Sequence, residues 1–126
     1  MSSIKRHAST LPFPFSRAVR AGNLLFLSGQ IPLDAGGKIV TGDIAVQAEA
    51  VMERIAETLQ AAGAGFNDVV KATVWLADMA DLEQFNRVYS RYFADGFPAR
   101  SAVQARLAFD VGVEVEMQAW IGDQPG

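Results

Sequence analysis

The sequence has no cysteine and one histidine. The first absence excludes a disulfide framework, a thiolate nucleophile and any Cys-ligated zinc or iron–sulfur centre. His7 stands beside Lys5 and Arg6 with no partner motif, so it reads as a surface or strand-edge residue, and a Ser-His-Asp triad is not expected. Long apolar runs are missing as well. Leu24 to Leu27 and Val74 to Ala77 are the longest, strand-sized against the roughly 20 residues that cross a bilayer. The basic N-terminal stretch reaches Pro12 and Pro14 without an apolar signal-type core. A cytoplasmic location with no membrane partner is the expectation.

Excess positive charge is also lacking. The formal net charge is −3, and Arg17, Arg20, Arg87, Arg91, Arg100 and Arg106 form no contiguous run, so the chain as a whole repels phosphate backbones and nucleic acid is not an expected partner. What is present is globular composition. Of 126 residues, 50% are hydrophobic and 20% charged, enough apolar side chains for one folded domain and far from the signature of disorder.

Asn23 to Ser28 is apolar on both alternating faces, as expected of an interior strand covered on both sides, and Gly29 ends it. Ser16 to Arg20 is its expected hairpin partner across Ala21-Gly22. Pro32 to Gly37 reads as a loop. Asp43 is placed to cap a helix in which Ile44, Ala48, Val51, Ile55, Leu59 and Ala62 make one apolar stripe, stopped at Gly63. Asp68 to Ala77 is rich in β-branched residues and predicts a strand, with Val70, Ala72, Val74 and Leu76 on one face and Val69, Lys71, Thr73 and Trp75 on the other. Asp81 is the expected cap of a second helix carrying Leu82, Phe85, Tyr89 and either Tyr92 or Phe93, ended by Gly96 and Pro98. From Val111 to Ile121 apolar residues alternate with Glu114, Glu116, Gln118 and Trp120, which predicts a last strand.

Two helices cover one face of such a sheet. The other face would carry Thr73, Trp75, Glu114, Gln118 and Trp120, too aromatic for water and too polar for a monomer core. Other copies of the chain would cover it and leave carboxylates near subunit boundaries, where burial tunes them.

Four stretches stand out as chemistry: Phe13-Pro-Phe15, Ser28-Gly-Gln-Ile-Pro32, Phe97-Pro-Ala-Arg-Ser-Ala-Val103 and Glu114-Val-Glu116. Singly, each has a bland reading as a strand exit, a helix stop, a surface cation or a solvated face. In this order, with Asp43-Ile-Ala-Val-Gln47, Asp68-Val-Val-Lys71 and Phe85-Asn86, the chain resembles the Rid family of RidA-like imine deaminases, also called YjgF or L-PSP. The resemblance runs over nearly the whole chain. It implies one Rid-like domain over 1–126, an α+β chorismate-mutase-like fold with a mixed sheet and two helices on one face, and a homotrimer packed through the other face with ligand clefts between subunits.

The resemblance also implies roles. Arg100 would hold the substrate carboxylate, which a guanidinium fork suits. Ser28 and Glu114 would join it as catalytic groups through hydrogen bonding and water placement. Gly29, Phe15, Asn86 and Ala102 would complete the substrate site. The reaction implied is attack of water on the C=N carbon of a small 2-imino acid, giving keto acid and ammonia. Imines hydrolyse in water unaided, so orientation, one placed water and proton traffic suffice, with no cofactor and no metal.

Three departures from the family pattern lie near this site. Phe15 stands where many deaminating members have tyrosine, which removes a hydroxyl donor. Ala102 replaces a common cysteine. One residue is missing between Arg100 and Leu107, which would reverse strand faces or remove a bulge and re-aim Arg106. Two other readings remain beside small imino acids: an aminomuconate- or aminoacrylate-type pathway substrate, and a non-catalytic trimer that binds small carboxylates. An RNA-cleaving reading, suggested by the family's older name, conflicts with the acidic charge and the lack of a histidine pair.

Overall fold

In the computed structural model, which describes residues 3–122, six strands form one mixed sheet. They are β1 (Ile4–His7), β2 (Ala18–Ala21), β3 (Leu24–Leu27), β4 (Val69–Leu76), β5 (Ala99–Gln104) and β6 (Val113–Trp120). Their order across the sheet is β1-β2-β3-β6-β4-β5. Two helices, α1 (Ile44–Ala61) and α2 (Leu82–Ser90), complete the α+β architecture. Only β4 and β5 pair in parallel, and α2 lies in the connection between them, as a parallel crossover requires. Among the described residues no helix is long and apolar enough to cross a membrane.

The alternation of β6 organises the core. Val113, Val115, Met117 and Ala119 are buried, and they join Leu25 and Leu27 of β3 and Ala72, Val74 and Leu76 of β4 in one cluster with the apolar stripes of both helices. Each Val, Leu, Ile, Phe or Met side chain buried there stabilises the fold by roughly 1.5–3 kcal/mol. The Asp43 cap forms as expected, with its side chain accepting from the Val46 amide at 3.1 Å. Gly63 takes φ 79° just past the end of α1, a left-handed conformation that favours glycine.

Several expectations shift locally. Residues Ile4–His7 add an edge strand whose polar residues gave no strand signal. The β2–β3 turn is Gly22-Asn23 rather than Ala21-Gly22, because Ala21 pairs with Leu24 and Gly22 takes φ 60°. In β4 a register shift between Val69 and Lys71 puts Val69 in the core and leaves Val70 exposed, reversing the expected pair. Asp81 makes no side-chain cap on α2. Asp78 caps the short 3₁₀ turn before it instead, accepting from the Ala80 amide. That helix stops at Ser90, short of Gly96.

The second face of the sheet carries the residues expected of it. Trp75 pairs with Glu114, Thr73 with Glu116 and Leu24 with Trp120. Within one chain this face is open: Leu24 is 40%, Phe26 39% and Trp120 53% exposed. For β3, then, the chain itself covers one side only.

Candidate functional site

Arg100 sits on the edge strand β5. In parallel register it pairs with core-facing Ala72, so its side chain rises on the helix face. There it donates from Nη1 to Asn86 Oδ1 at 2.7 Å, and its guanidinium lies 5.0 Å above the Tyr89 ring. Asn86 and Tyr89 are three apart on α2 and share one helical face, so one element supplies both restraints. Burial raises the Tyr89 phenol above its ordinary value, opposed by the Arg100 charge. Phe97, Pro98 and Ser90 complete a shallow hollow of about 230 Å³ around the guanidinium. This is a positioned fork with hydrogen-bonding capacity left over, suited to a carboxylate.

Glu114 stands on the opposite face, paired with Trp75 in register. Burial first, and the Glu116 charge second, raise its carboxyl above the ordinary range, so it holds a proton more readily than a solvated glutamate. Gly29 lies against it: a Cβ at that position would collide with the Glu114 carboxylate. The close approach explains a glycine after Ser28 with no appeal to backbone strain. Phe13, Phe15, Ile31 and Phe109 help to line a cleft of about 460 Å³ that contains Gly29 and Glu114. A carboxyl with a raised pKa in an apolar cleft is placed for proton transfer.

The expected site residues thus divide. Arg100 and Asn86 are brought together, and so are Phe15, Gly29 and Glu114, but the two groups project from opposite faces and do not meet within one chain. Ser28 is not among the cleft-lining residues. Its hydroxyl donates to the Ser16 carbonyl at 2.6 Å and holds the strand entry in place. Ala102 pairs with Val74 and packs against the core rather than lining the Arg100 hollow. The missing residue after Arg100 leaves β5 regular, in unbroken register with β4, and Arg106 is exposed beyond the strand's end. Arg17 reaches the helix face, where Nε donates to the buried Thr58 hydroxyl. Among the described residues no three His, Cys, Asp or Glu side chains gather as a metal site.

Two participants were not marked as site residues by the sequence. Tyr89 reads as core from its spacing, although its position three after Asn86 was a usable signal. Phe109 owes its place to a left-handed backbone, φ 60°, which no pattern announces.

Comparison with known proteins bears on the family and the fold. The chain is 50% identical over 109 residues to a RutC family protein of Pyrococcus horikoshii, covering 85% of this chain and 86% of that one. It is 44% identical over 107 residues to the 2-iminobutanoate/2-iminopropanoate deaminase of Bos taurus, covering 84% and 77%. The crystal structure of a putative endoribonuclease from Thermotoga maritima superposes with a TM-score of 0.87 at 40% identity, over 97% of this chain and 99% of that one. The family model described as endoribonuclease L-PSP matches residues 7–121, and with sheet, helices and signature segments in the matching order, the chain belongs to that family.

Proposed function

We propose that the protein hydrolyses 2-imino acids to 2-keto acids and ammonia, at sites assembled between the subunits of a homotrimer. The observation that carries this reading is the division of the site: a restrained guanidinium and a carboxyl whose pKa is raised by burial, on opposite faces of one sheet, each in an open hollow. Packing the open face of one copy against the β5 edge of the next joins the two halves. It also covers the apolar residues exposed around Trp120. The names of the deaminase relatives support the reaction class.

In the joined site Arg100 holds the substrate carboxylate with the guanidinium hydrogens that Asn86 does not use. Glu114 of the neighbouring copy takes a proton from water as its oxygen bonds to the C=N carbon, and the imine nitrogen takes a proton from solvent to give the carbinolamine. Glu114 then returns its proton to the amine nitrogen, the hydroxyl gives up its proton to solvent, and the C–N bond breaks to release ammonia as the carbonyl forms. Glu114, with its raised affinity for a proton, can accept and return it within one turnover. Phe15 contributes an apolar wall and no hydroxyl.

The test generates 2-iminopropanoate in place with an amino acid oxidase and lets semicarbazide compete for it. The protein is expected to suppress semicarbazone formation while ammonia and pyruvate appear. Unchanged semicarbazone yield, with pyruvate still bound by the protein, would instead favour the carboxylate-binding trimer.

A further inference from the structure

We infer that the Glu114 cleft selects 2-imino acids with bulky apolar or aromatic side chains, and that Phe13 and Phe109 set this preference. The inference rests on the imine-hydrolysing reading and names the substrate class of that same site.

Phe109 and Asp110 are the two non-glycine residues with positive φ among the described residues, at 60° and 53°. Aspartate tolerates that region through its short polar side chain, whereas phenylalanine is a true outlier there. The strain is not offset by burial in the core, since Phe109 remains 57% exposed. Its ring packs on Phe13 at 6.0 Å, and Phe13 in turn stacks on Phe15 at 6.1 Å with the planes 16° apart.

Three half-exposed rings therefore stand in a row along one cleft, with Gly29 and the Glu114 carboxyl in the same cavity. An exposed aromatic in a strained turn adds little to folding, so its value lies in what fills the cavity. A substrate whose side chain is one methyl leaves most of the 460 Å³ cleft and its rings in water. A benzyl or isobutyl group covers them and gains edge and face contacts with the rings. Each methylene buried in an apolar site changes kcat/KM by roughly tenfold or more.

The experiment measures kcat/KM of the full-length protein for imines made in place from alanine, leucine and phenylalanine, in wild type, Phe109→Asn and Phe13→Ala. Wild type is expected to favour the phenylalanine imine over the alanine imine by at least ~10-fold. Phe109→Asn should lower that ratio about tenfold while raising the melting temperature, because asparagine accepts the left-handed turn. Phe13→Ala should lower the ratio as well. A ring serving only structure predicts the reverse: a lower melting temperature and an unchanged ratio.

No wild-type preference, an unchanged ratio in Phe109→Asn, or dissociation of the assembly by that variant overturns the inference. Should no imine be hydrolysed, calorimetric titration with phenylpyruvate and pyruvate separates the two readings. Tighter phenylpyruvate binding that depends on Phe109 sustains the selectivity and removes the hydrolysis. Equal binding, or none, overturns the selectivity as well.

Discussion

The two faces of the sheet come from the same strands in opposite alternation, yet only one is finished by the chain itself. On the helix face, neighbouring strands bring Leu25, Val74, Val115 and Met117 under both helices with essentially no exposure. On the other face Phe26, Trp75 and Trp120 have no layer above them. Arg100 belongs to the first face and Glu114 to the second. The lesson is a division of labour. The covered face makes the fold and anchors a cation, whereas the open face holds an acid in an apolar setting that no second layer of the chain covers.

The largest expected effect sharpens this contrast at the acid. Glu114→Gln is expected to lower kcat by roughly 10²–10⁴-fold, the range for loss of a general acid–base group. The same change should stabilise the protein. Because the folded-state pKa of Glu114 is raised, the folded chain binds its proton more tightly than the unfolded chain does. Its favourable contribution is present at acid pH and is lost as pH rises through the folded-state value. The stability gap in favour of the variant should therefore widen from acid to neutral pH in melting curves. A gap that narrows contradicts the assigned burial.

Adjacent residues of β3 give the next test. Leu25→Ala should cost about 2–5 kcal/mol in denaturant titrations at any protein concentration, as a cavity in a packed core does. If another copy covers Phe26, the deficit of Phe26→Ala should shrink when the protein is diluted to monomer, leaving only the contacts made within one chain. Equal deficits at all concentrations would break the distinction between the faces. Somewhat smaller is the effect of Arg100→Lys, which keeps the charge but loses the planar fork held by Asn86 and Tyr89. A loss of about 2–4 kcal/mol in kcat/KM is expected, with the assembly intact in sedimentation.

Periodicity made much of this fold legible. The stripe from Ile44 to Ala62 and the alternation from Val111 to Ile121 locate α1 and β6, and Thr73, Trp75, Glu114, Gln118 and Trp120 lie on the open face as their alternation implies. Leu24 and Phe26, read as part of a strand covered on both sides, lie on that open face too. The errors fall where local pairing overrides pattern. The irregularity between Val69 and Lys71 exchanges core and surface at one position, and β1 is held by pairing with β2 despite polar residues. Site residues were legible as motifs and less so as geometry. Arg100 and Glu114 were marked by their segments, but their separation onto opposite faces follows from the parallel pairing Ala72–Arg100 and the antiparallel pairing Trp75–Glu114. Ser28 and Ala102 lie within recognised segments while their side chains serve the strand entry and the core.

The claim that one site draws on two copies is tested most directly by mixing inactive variants. Arg100→Ala and Glu114→Gln, each purified, unfolded together at equal amounts and refolded, should form mixed trimers in which one site has an intact Arg100 from one copy and an intact Glu114 from the next. Cyclic symmetry places one such site in every mixed trimer, so imine-hydrolysing activity should recover to roughly a quarter of the wild-type value. If both residues act within a single chain, or if the assembly is not shared between copies, the mixture will stay as inactive as its parts.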